Sequence, residues 1–436
     1  MHFGTDGIRE KADKFTPEFL TKLIKGLVDY GGDNIKVFLA GDTRESTEWI
    51  LQDLENALET FGIEYGSAGI LPTPAINFCF YEMGFDFAID VTASHNPYTD
   101  NGIKILERGK TCGEKLCEKG RATIEQALQT TQTYTIIPAT LREDLHDEAL
   151  EIYKSHLRNY IGEANFKDLH IGIDCANGAT SVINSQIFKE FGAKVESAHV
   201  NENYNTEINQ DCGSTHLESL QKFVVKRHLD LGFAFDGDGD RCLAVDAAGN
   251  EVDGDEMLAF LSQYLELDSI VTTVMANQGL LNWVKDANIH AEITAVGDPN
   301  VVAAMIKNDI KIGSEQNGHV ILPGHTSGDG MLTALMIAKA VSDTKKSLHE
   351  LASIIKKYPQ VIVNAEATSK QKHALESGQA EALLAEYTEK LAPVKGRLLV
   401  RPSGTENLIR ITMWGEDEKV ITDLANELKN KIGEVL

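Results

Sequence analysis

Short apolar runs alternate with amphipathic helical segments along most of the chain, and this alternation indicates stacked α/β layers. The run at 35–40 predicts a buried strand, and a segment with helical spacing follows it. The pattern restarts near residue 169 and near residue 253, whereas the tail beyond residue 359 indicates a smaller α+β unit. We therefore expect four domains, at 1–152, 153–251, 252–358 and 359–436.

The length and net charge of the chain limit the classes of protein to which it can belong. At ~150 residues per domain, 436 residues indicate a multi-domain enzyme rather than a small binding module. The 41 Lys and Arg residues against 66 Asp and Glu residues give a formal net charge of -25. Because an acidic surface repels phosphate backbones and anionic lipids, we expect no nucleic-acid partner and no membrane-surface partner. A phosphorylated ligand must then be held by locally placed Arg and Lys side chains.

The remaining composition is typical of a cytoplasmic enzyme. No apolar stretch reaches the ~18 residues of a membrane span, and the first twenty residues are too charged for a signal peptide. The six cysteines are scattered, which favours reduced thiols. Cys112 and Cys117 are the closest pair, but no second Cys/His pair lies near them in the sequence, so we do not expect a zinc site.

The first of four polar loops occupies 92–97 and is followed by 101–104. It comes after a predicted strand at 85–91, so Ser94 should lie at the carboxyl end of that strand, where α/β sheets bind ligands. One interpretation is a simple turn, because Asn-Pro and Asn-Gly are common turn formers. The other makes Ser94 a hydroxyl that carries a phosphoryl group, with His95 and Lys104 near its charge.

The second loop places Asp236, Asp238 and Asp240 directly after an apolar run at 231–235. Earlier in the same unit, the sequence predicts a helix at 182–191. On an extended strand these carboxylates would be ~6.6 Å apart, too far to share an ion bound at ~2.1 Å. The two intervening glycines let the chain coil until the carboxylates converge, and an all-oxygen ligand set favours Mg²⁺.

Other interpretations of this acidic loop remain open. The spacing excludes an EF-hand, because Arg241 and Ala247 stand where that motif requires Gly and Glu. A solvated acidic turn is one alternative. The string also resembles the first motif of haloacid-dehalogenase-type phosphatases, in which Asp236 would be the nucleophile.

The third and fourth loops offer groups that suit a sugar phosphate. The third, at 313–319, follows a predicted strand at 310–312, and its Glu, Gln, Asn and His side chains supply both donors and acceptors for sugar hydroxyls. The fourth, at 401–406, offers an Arg, two hydroxyls and the N–H groups of a Gly-containing turn, which suit a phosphate, although a hairpin connection has the same composition. Four domains around one cleft would bring the four loops together.

The four loops, in this order, resemble those of the α-D-phosphohexomutase superfamily, and most closely its bacterial glucosamine branch. The resemblance covers essentially the whole chain and includes the opening Phe-Gly-Thr-Asp-Gly-Ile-Arg at 3–9. It implies three similar α/β/α domains with mixed sheets and a fourth domain like the TATA-binding protein, around a central cleft.

The same resemblance assigns roles to individual residues. It implies that Ser94 is a phosphoserine and that its phosphate binds Mg²⁺ together with Asp236, Asp238 and Asp240. The implied catalytic residues are Ser94, His95, Lys104, His319 and Arg9, with Lys104 and His319 as candidates for general acid and base. The implied substrate-binding residues are Arg241, Glu315, Asn317, Arg401, Ser403, Gly404 and Thr405.

The opening motif, Gln316 and the Ser-Gly-Asp-Gly string at 327–330 favour the glucosamine branch over the glucose/mannose branch. The chain departs from the usual pattern of that branch at Glu10, Pro299, Ser314 and Asn317. Because Asn317 should contact substrate hydroxyls, we expect some relaxation of sugar preference.

The implied reaction is the interconversion of glucosamine 6-phosphate and glucosamine 1-phosphate, which feeds UDP-N-acetylglucosamine and cell-wall precursor synthesis. Glucosamine 1,6-bisphosphate would be the intermediate, and it or glucose 1,6-bisphosphate would act as activator. We also expect a homodimer. Three alternatives remain: a glucose or mannose phosphate mutase, a Mg²⁺-dependent sugar phosphatase that uses Asp236, and a sugar-phosphate sensor without turnover.

Overall fold

The computed structural model describes residues 3–4, 7–109, 113–140, 143–403 and 407–436. Its strands form four separate sheets, one in each expected unit. The first three units layer helices on mixed sheets and the fourth is α+β, which confirms the predicted fold class.

The first unit contains a six-stranded mixed sheet. Its strands are β1 (Ile8–Lys11), β2 (Lys36–Gly41), β3 (Glu64–Ile70), β4 (Phe87–Val91), β5 (Asp100–Arg108) and β6 (Gly113–Lys115). Its helices are α1 (Pro17–Gly31), α2 (Glu45–Thr60), α3 (Thr73–Glu82) and α4 (Glu118–Leu128), and α5 (His146–Ile161) follows them. The order is β1–β5–β4–β2–β3 with β6 beside β5; β2 is parallel to β3 and β4, and β5 is antiparallel to β4. Because helices pack on both faces, β4 is buried along its whole length.

The second unit has a five-stranded sheet in the order β11–β10–β9–β7–β8. Its strands are β7 (His170–Asp174), β8 (Lys194–Ala198), β9 (Leu231–Phe235), β10 (Cys242–Asp246) and β11 (Glu251–Val252), and its helices are α6 (Gln186–Glu190) and α7 (Glu218–Arg227). The helix predicted over 182–191 is wrong in extent. A 3₁₀ turn ends at Val182, and Asn184 takes a left-handed φ of 34° that interrupts the helix before α6 begins.

The third unit has a four-stranded sheet in the order β13–β12–β14–β15. Its strands are β12 (Ser269–Thr273), β13 (His290–Thr294), β14 (Gly313–Ser314) and β15 (Val320–Ile321); its helices are α8 (Gly254–Tyr264), α9 (Gln278–Asp286), α10 (Asp298–Asn308), α11 (Gly330–Thr344) and α12 (Leu348–Ala352). The strand predicted over 310–312 is displaced. Ile310 and Ile312 are buried as expected, but pairing with the neighbouring strands falls on Gly313 and Ser314.

The fourth unit is an antiparallel sheet in the order β16–β18–β17. Its elements are β16 (Gln360–Glu366), α13 (Ser369–Glu376), α14 (Glu381–Leu391), β17 (Arg397–Pro402), β18 (Leu408–Trp414) and α15 (Glu418–Val435). Leu398 and Val400 face the helices, so the alternate residues Arg397, Leu399 and Arg401 lie on the opposite face of β17.

Two of the hydrophobic clusters show how the units are connected. One continuous cluster runs through the first three units and includes Phe38, Phe233 and Leu335. The fourth unit has its own cluster, around Tyr387 and Met413. Helix α5 runs across residues 152 and 153 without interruption, so the predicted division there would cut a helix. All three boundaries between the four domains stay predictions. In the part of the chain that the structure describes, no helix is long and apolar enough to cross a membrane.

Candidate active site

Ser94 lies in the turn after β4, at the carboxyl end of the first sheet. It is almost fully buried, and its φ of 52° is left-handed, which is uncommon for a residue other than glycine. Its hydroxyl donates to Oδ2 of Asp236 at 2.8 Å, and its Oγ lies 3.3 Å from Nδ1 of His95. The Ser94 hydroxyl, from the first unit, is therefore in contact with the acidic loop of the second unit, residues 236–240.

The three carboxylates of the acidic loop converge, as predicted. One oxygen of each lies within 4.8 Å of the others. Gly239 has a φ of 75°, and a Cβ at Gly237 would lie 2.6 Å from the carbonyl oxygen of Ser94. Oδ1 of Asp238 and Oδ1 of Asp240 are buried without a hydrogen-bond partner among the described residues. Carboxylate oxygens are the ligands that Mg²⁺ prefers, so the cluster fits a divalent cation.

Cations beside the acidic loop compensate its charge. Burial raises the pKa of Asp236, and the charges of Asp238 and Asp240 raise it further. Burial also opposes ionisation of Asp238, but the ammonium group of Lys104, 2.6 Å from its Oδ2, holds the pKa of this carboxyl below its usual range. Nε of Arg241 lies 3.9 Å from Oδ2 of Asp236 and 3.8 Å from Oδ1 of Asp240. The loop thus depends on nearby positive charge to stay ionised.

His95 is neutral in this environment. Burial, and then the charges of Arg241 and Arg9, lower the pKa of His95 to about 4. Arg9 lies on β1, opposite Gly102 of β5. The structure therefore brings the predicted catalytic residues Ser94, His95, Lys104 and Arg9 to one centre.

His319 reaches this centre from the third unit. Its Nε2 accepts the N–H of Gly328 at 2.9 Å, and its Nδ1 lies 3.9 Å from Oδ1 of Asp240. Because Nε2 is the acceptor, the neutral ring carries its proton on Nδ1, which faces the acidic loop. A cavity of about 330 Å³ adjoins this cluster, and Lys104, Asp240 and His319 are among the residues that line it.

The other polar residues of the third loop are engaged within the protein. Oε1 of Glu315 accepts the N–H of Gly297 at 2.8 Å. Nε2 of Gln316 donates to Oε1 of Gln360 at 2.9 Å and to Oδ2 of Asp253 at 3.3 Å. Asn317 is exposed, and its Oδ1 accepts the N–H of His319 at 3.2 Å. Gln316 therefore ties the third loop to the first strand of the fourth unit, a contact that the sequence did not predict.

The fourth unit presents a pair of arginines. The strand register sets Arg401 on β17 directly opposite Arg410 on β18. Burial and the charge of Arg410 lower the pKa of Arg401, whereas the charge of Glu315 in the third loop raises it. Like charges opposite each other in a sheet are unfavourable, and two guanidinium groups suit a shared phosphate. Sequence reasoning missed Arg410, because only the register reveals its position.

Ser403, Gly404 and Thr405 follow Arg401 in the fourth loop. Ser403 is buried, and its N–H donates to the carbonyl of Leu408 at 2.9 Å. Gly404 and Thr405 lie outside the described residues. Sequence reasoning also missed Arg44 and Asn209, whose side chains contact the Ser94 loop, residues 94–100.

Solved structures share this architecture. A phosphoglucomutase/phosphomannomutase family protein from Burkholderia thailandensis aligns with a TM-score of 0.74 at 18% identity, over 99% of this chain and 97% of that chain. The N-acetylphosphoglucosamine mutase of Aspergillus fumigatus, solved with GlcNAc-6P and magnesium, aligns with a TM-score of 0.63 at 16% identity, over 100% of this chain and 96% of that chain. A second structure of that fungal enzyme contains glucose 1,6-bisphosphate. At these identities the likeness shows the fold alone.

Sequence comparison establishes the family. The models described as phosphoglucomutase/phosphomannomutase alpha/beta/alpha domains I, II and III match residues 1–135, 151–249 and 253–358, and the model of the C-terminal domain matches residues 340–431. The phosphoglucosamine mutase of Clostridium tetani is 38% identical over 442 residues, which are 98% of this chain and 97% of that protein. These matches confirm the family predicted from the four loops: the chain belongs to the phosphoglucomutase/phosphomannomutase family.

Proposed function

We propose that the chain interconverts glucosamine 6-phosphate and glucosamine 1-phosphate through a phosphorylated Ser94 and a 1,6-bisphosphate intermediate. The observation that carries the proposal is the 2.8 Å hydrogen bond from Ser94 to Asp236, which sets a buried hydroxyl against a cluster of metal-binding type. The relationship to phosphoglucosamine mutases along nearly the whole chain supports the amino sugar as substrate.

Mg²⁺ is the metal that this cluster suits. Asp236, Asp238 and Asp240 would hold it together with the phosphate on Ser94, and the two orphaned carboxylate oxygens support this assignment. When bound, the ion neutralises charge on the transferring phosphoryl group.

The reaction exchanges one P–O bond for another. The bond from phosphorus to Oγ of Ser94 breaks while the free sugar hydroxyl bonds to phosphorus. The bisphosphate then turns over in the cleft and returns its other phosphoryl group to Ser94. Because the transition state of phosphoryl transfer is loose, positioning and charge stabilisation contribute most of the catalysis. Arg9 and Arg241, whose charges both act on His95, supply positive charge for the transition state, and Arg241 also lies beside Asp236.

Lys104 and His319 then differ in what they can do. While Gly328 donates to Nε2 of His319, the ring offers Nδ1–H as a hydrogen-bond donor to a substrate oxygen. Lys104 is an ammonium group beside Asp238. We therefore assign proton exchange with the reacting oxygens to Lys104, and orientation of the substrate to His319.

The fourth loop holds the phosphate that is not reacting. Arg401 and Arg410, which lie opposite each other, supply two guanidinium groups. Ser403, Gly404 and Thr405 would add hydroxyl and N–H donors. Glu315 and Asn317 would contact sugar hydroxyls. A homodimer and a cytoplasmic location stay predictions.

Incubation with glucosamine 6-phosphate, Mg²⁺ and a trace of glucose 1,6-bisphosphate tests the function directly. We expect glucosamine 1-phosphate to form without equivalent release of inorganic phosphate. Release of phosphate that persists in Ser94→Ala would indicate a phosphatase that uses Asp236. Tight binding of glucosamine 6-phosphate without either product would indicate a sensor.

A further inference from the structure

The carbonyl oxygens of the Ser94 loop, residues 94–100, are held by one buried arginine. Arg44, in the turn between β2 and α2, is fully buried and pairs with Asp42 through Nε at 2.9 Å. Its other N–H groups all donate to main-chain carbonyl oxygens of the loop, those of Ser94 (2.8 Å), Asn96 (2.9 Å), Pro97 (2.5 Å) and Asp100 (3.0 Å). A buried guanidinium is costly unless it is paired and fully hydrogen-bonded, and this one satisfies both conditions.

A second side chain reaches the same loop from the second unit. Nδ2 of Asn209 donates to the carbonyl oxygens of Ser94 at 2.9 Å and Asn96 at 3.1 Å. The backbone N–H of Asn209 donates to the carbonyl of Ala176 at 2.9 Å, just beyond the end of β7. Two carbonyl oxygens of the first unit are therefore bound from both sides, by Arg44 from their own unit and by Asn209 from the unit that carries the acidic loop.

This arrangement fixes the conformation and the position of Ser94. The left-handed backbone of Ser94 persists only where its surroundings hold it. Two NH₂ groups, Nη2 of Arg44 and Nδ2 of Asn209, make four hydrogen bonds to the carbonyls of residues 94 and 96. The acidic loop lies directly against the same carbonyl: a Cβ added at Gly237 would be only 2.6 Å from the Ser94 carbonyl oxygen. A small shift of the loop would move Oγ away from Asp236.

We propose that Asn209 and Arg44 are positioning residues: together they hold the Ser94 loop in register with the acidic loop, so that Oγ of Ser94 is aligned for phosphoryl transfer. Arg44 sets the shape of the loop, and Asn209 couples it to the second unit. The catalytic part of this inference rests on the proposed function. The structural part, that Asn209 restrains the loop, does not.

Asn209→Asp tests the coupling with a side chain of equal size. The carboxylate cannot donate to the two carbonyls and repels them, so the loop should shift. We expect kcat, and the rate at which glucose 1,6-bisphosphate phosphorylates Ser94, to fall roughly 100-fold, the scale of an ~1 Å misplacement. KM for glucosamine 6-phosphate should change less than about threefold, because the substitution leaves the proposed phosphate-binding loop of the fourth unit unchanged. Intact mass spectrometry follows the phosphorylation.

Asn205→Asp is the matched control. Asn205 lies four residues before Asn209, and its Nδ2 also donates to two carbonyls, those of Asn177 and Asn203, but to no residue of the Ser94 loop. Its backbone pairs with Thr43 and Glu45, on either side of Arg44, and the side-chain change leaves these backbone groups in place. We expect this variant to keep the wild-type phosphorylation rate within about threefold. Equal loss in both variants would show that the segment is only structural and would overturn the inference, as would wild-type phosphorylation in Asn209→Asp.

Hydrogen exchange separates this inference from the proposed function. Exchange of the peptide that covers 92–100 should be faster in Asn209→Asp than in the wild type and Asn205→Asp, whatever substrate the enzyme uses. Unchanged exchange in Asn209→Asp would overturn the restraint. If exchange rises but the wild-type protein does not convert glucosamine 6-phosphate, the restraint stands and the proposed function fails.

Discussion

The hydroxyl of Ser94 donates a 2.8 Å hydrogen bond to Oδ2 of Asp236, although the two residues are 142 positions apart and belong to different sheets. Each follows the carboxyl end of a buried strand, β4 or β9, and one hydrophobic cluster runs through the first three units and includes Ala88 of β4 and Phe233 of β9. A potential nucleophile and a potential metal site thus meet at the junction of two units. This contact explains why neither loop alone identifies the chemistry.

The metal should be both essential and stabilising. We expect excess EDTA to abolish turnover and Asp238→Asn to lose most of it, because one of the three converging carboxylates is lost. At 100 times its Kd, Mg²⁺ should stabilise the wild-type protein by about 2.7 kcal/mol, measured as a thermal shift. Asp309→Asn, a change at an exposed carboxylate, should keep both effects. Full activity in EDTA would contradict the assignment.

Sugar preference should favour the amino sugar without being strict. We expect kcat/KM for glucosamine phosphates to exceed that for glucose or mannose phosphates by about 2 kcal/mol, roughly 30-fold, the scale of one changed polar contact. The amide of Gln316 donates to Asp253 and Gln360. Gln316→Glu should therefore change the ratio of kcat/KM values between the sugars, by altering the shape of the third loop. Better turnover of mannose 1-phosphate would place the chain in the glucose/mannose branch.

The arginine pair of the fourth unit should act on binding. Arg401→Ala should raise KM roughly 30-fold, because a charge-assisted hydrogen bond contributes about 2 kcal/mol, and should leave phosphorylation of Ser94 intact. Arg401→Lys should restore only part of the loss, since lysine lacks the planar fork. Lys395→Ala, at an exposed cation paired with Glu416, serves as the control. Unchanged kinetics in Arg401→Ala would make the fourth loop merely structural.

Two histidines that meet where α5 contacts the third unit should lower the free energy of unfolding in mild acid. Nε2 of His156 lies 3.0 Å from Nε2 of His325, and burial, then the charge of His325, lower the pKa of His156 to about 4. An unfolded histidine titrates near pH ~6.5. Between these values the unfolded chain binds more protons, so stability that is present above about pH 6.5 is lost as the pH falls toward about 4.

Thermal melting at about pH 7.5 and about pH 5.5 measures this dependence. Tm of the wild-type protein should fall more between these conditions than Tm of His156→Gln. His373→Gln, at a residue whose side chain is 84% exposed, should behave as the wild type. An equal fall in wild type and His156→Gln would show that the pair does not titrate as described.

The sequence predicts the parts of the site that are contiguous in the chain. Strand β9 begins and ends where the apolar run does, and the acidic loop follows it at once, because a buried run between polar ends has few alternative structures. Strand β4 also ends at Val91 as predicted, so the Ser94 loop follows it, although the strand begins at Phe87 rather than at residue 85. The predicted helix over 182–191 is too long, because the left-handed backbone of Asn184 interrupts it and the residue pattern does not reveal that conformation.

The parts that could not be predicted depend on long-range contacts. Arg44 and Asn209 lie far from Ser94 in the sequence and bind it through main-chain carbonyls, which leave no pattern in the residues. Arg410 becomes a candidate only when the register sets it opposite Arg401. The proton position on His319 follows from the N–H of Gly328, nine residues away.

The chemistry of the phosphoenzyme tests the central claim most directly. A phosphate on Ser94 is an ester, which is stable in acid and resists hydroxylamine, whereas a phosphate on Asp236 is a mixed anhydride that hydroxylamine cleaves. After incubation with glucose 1,6-bisphosphate, we expect an acid-stable phosphate on the peptide that contains Ser94, and loss of both label and mutase activity in Ser94→Ala with the fold intact. A hydroxylamine-labile phosphate that persists in Ser94→Ala would contradict this account and identify Asp236 as the nucleophile.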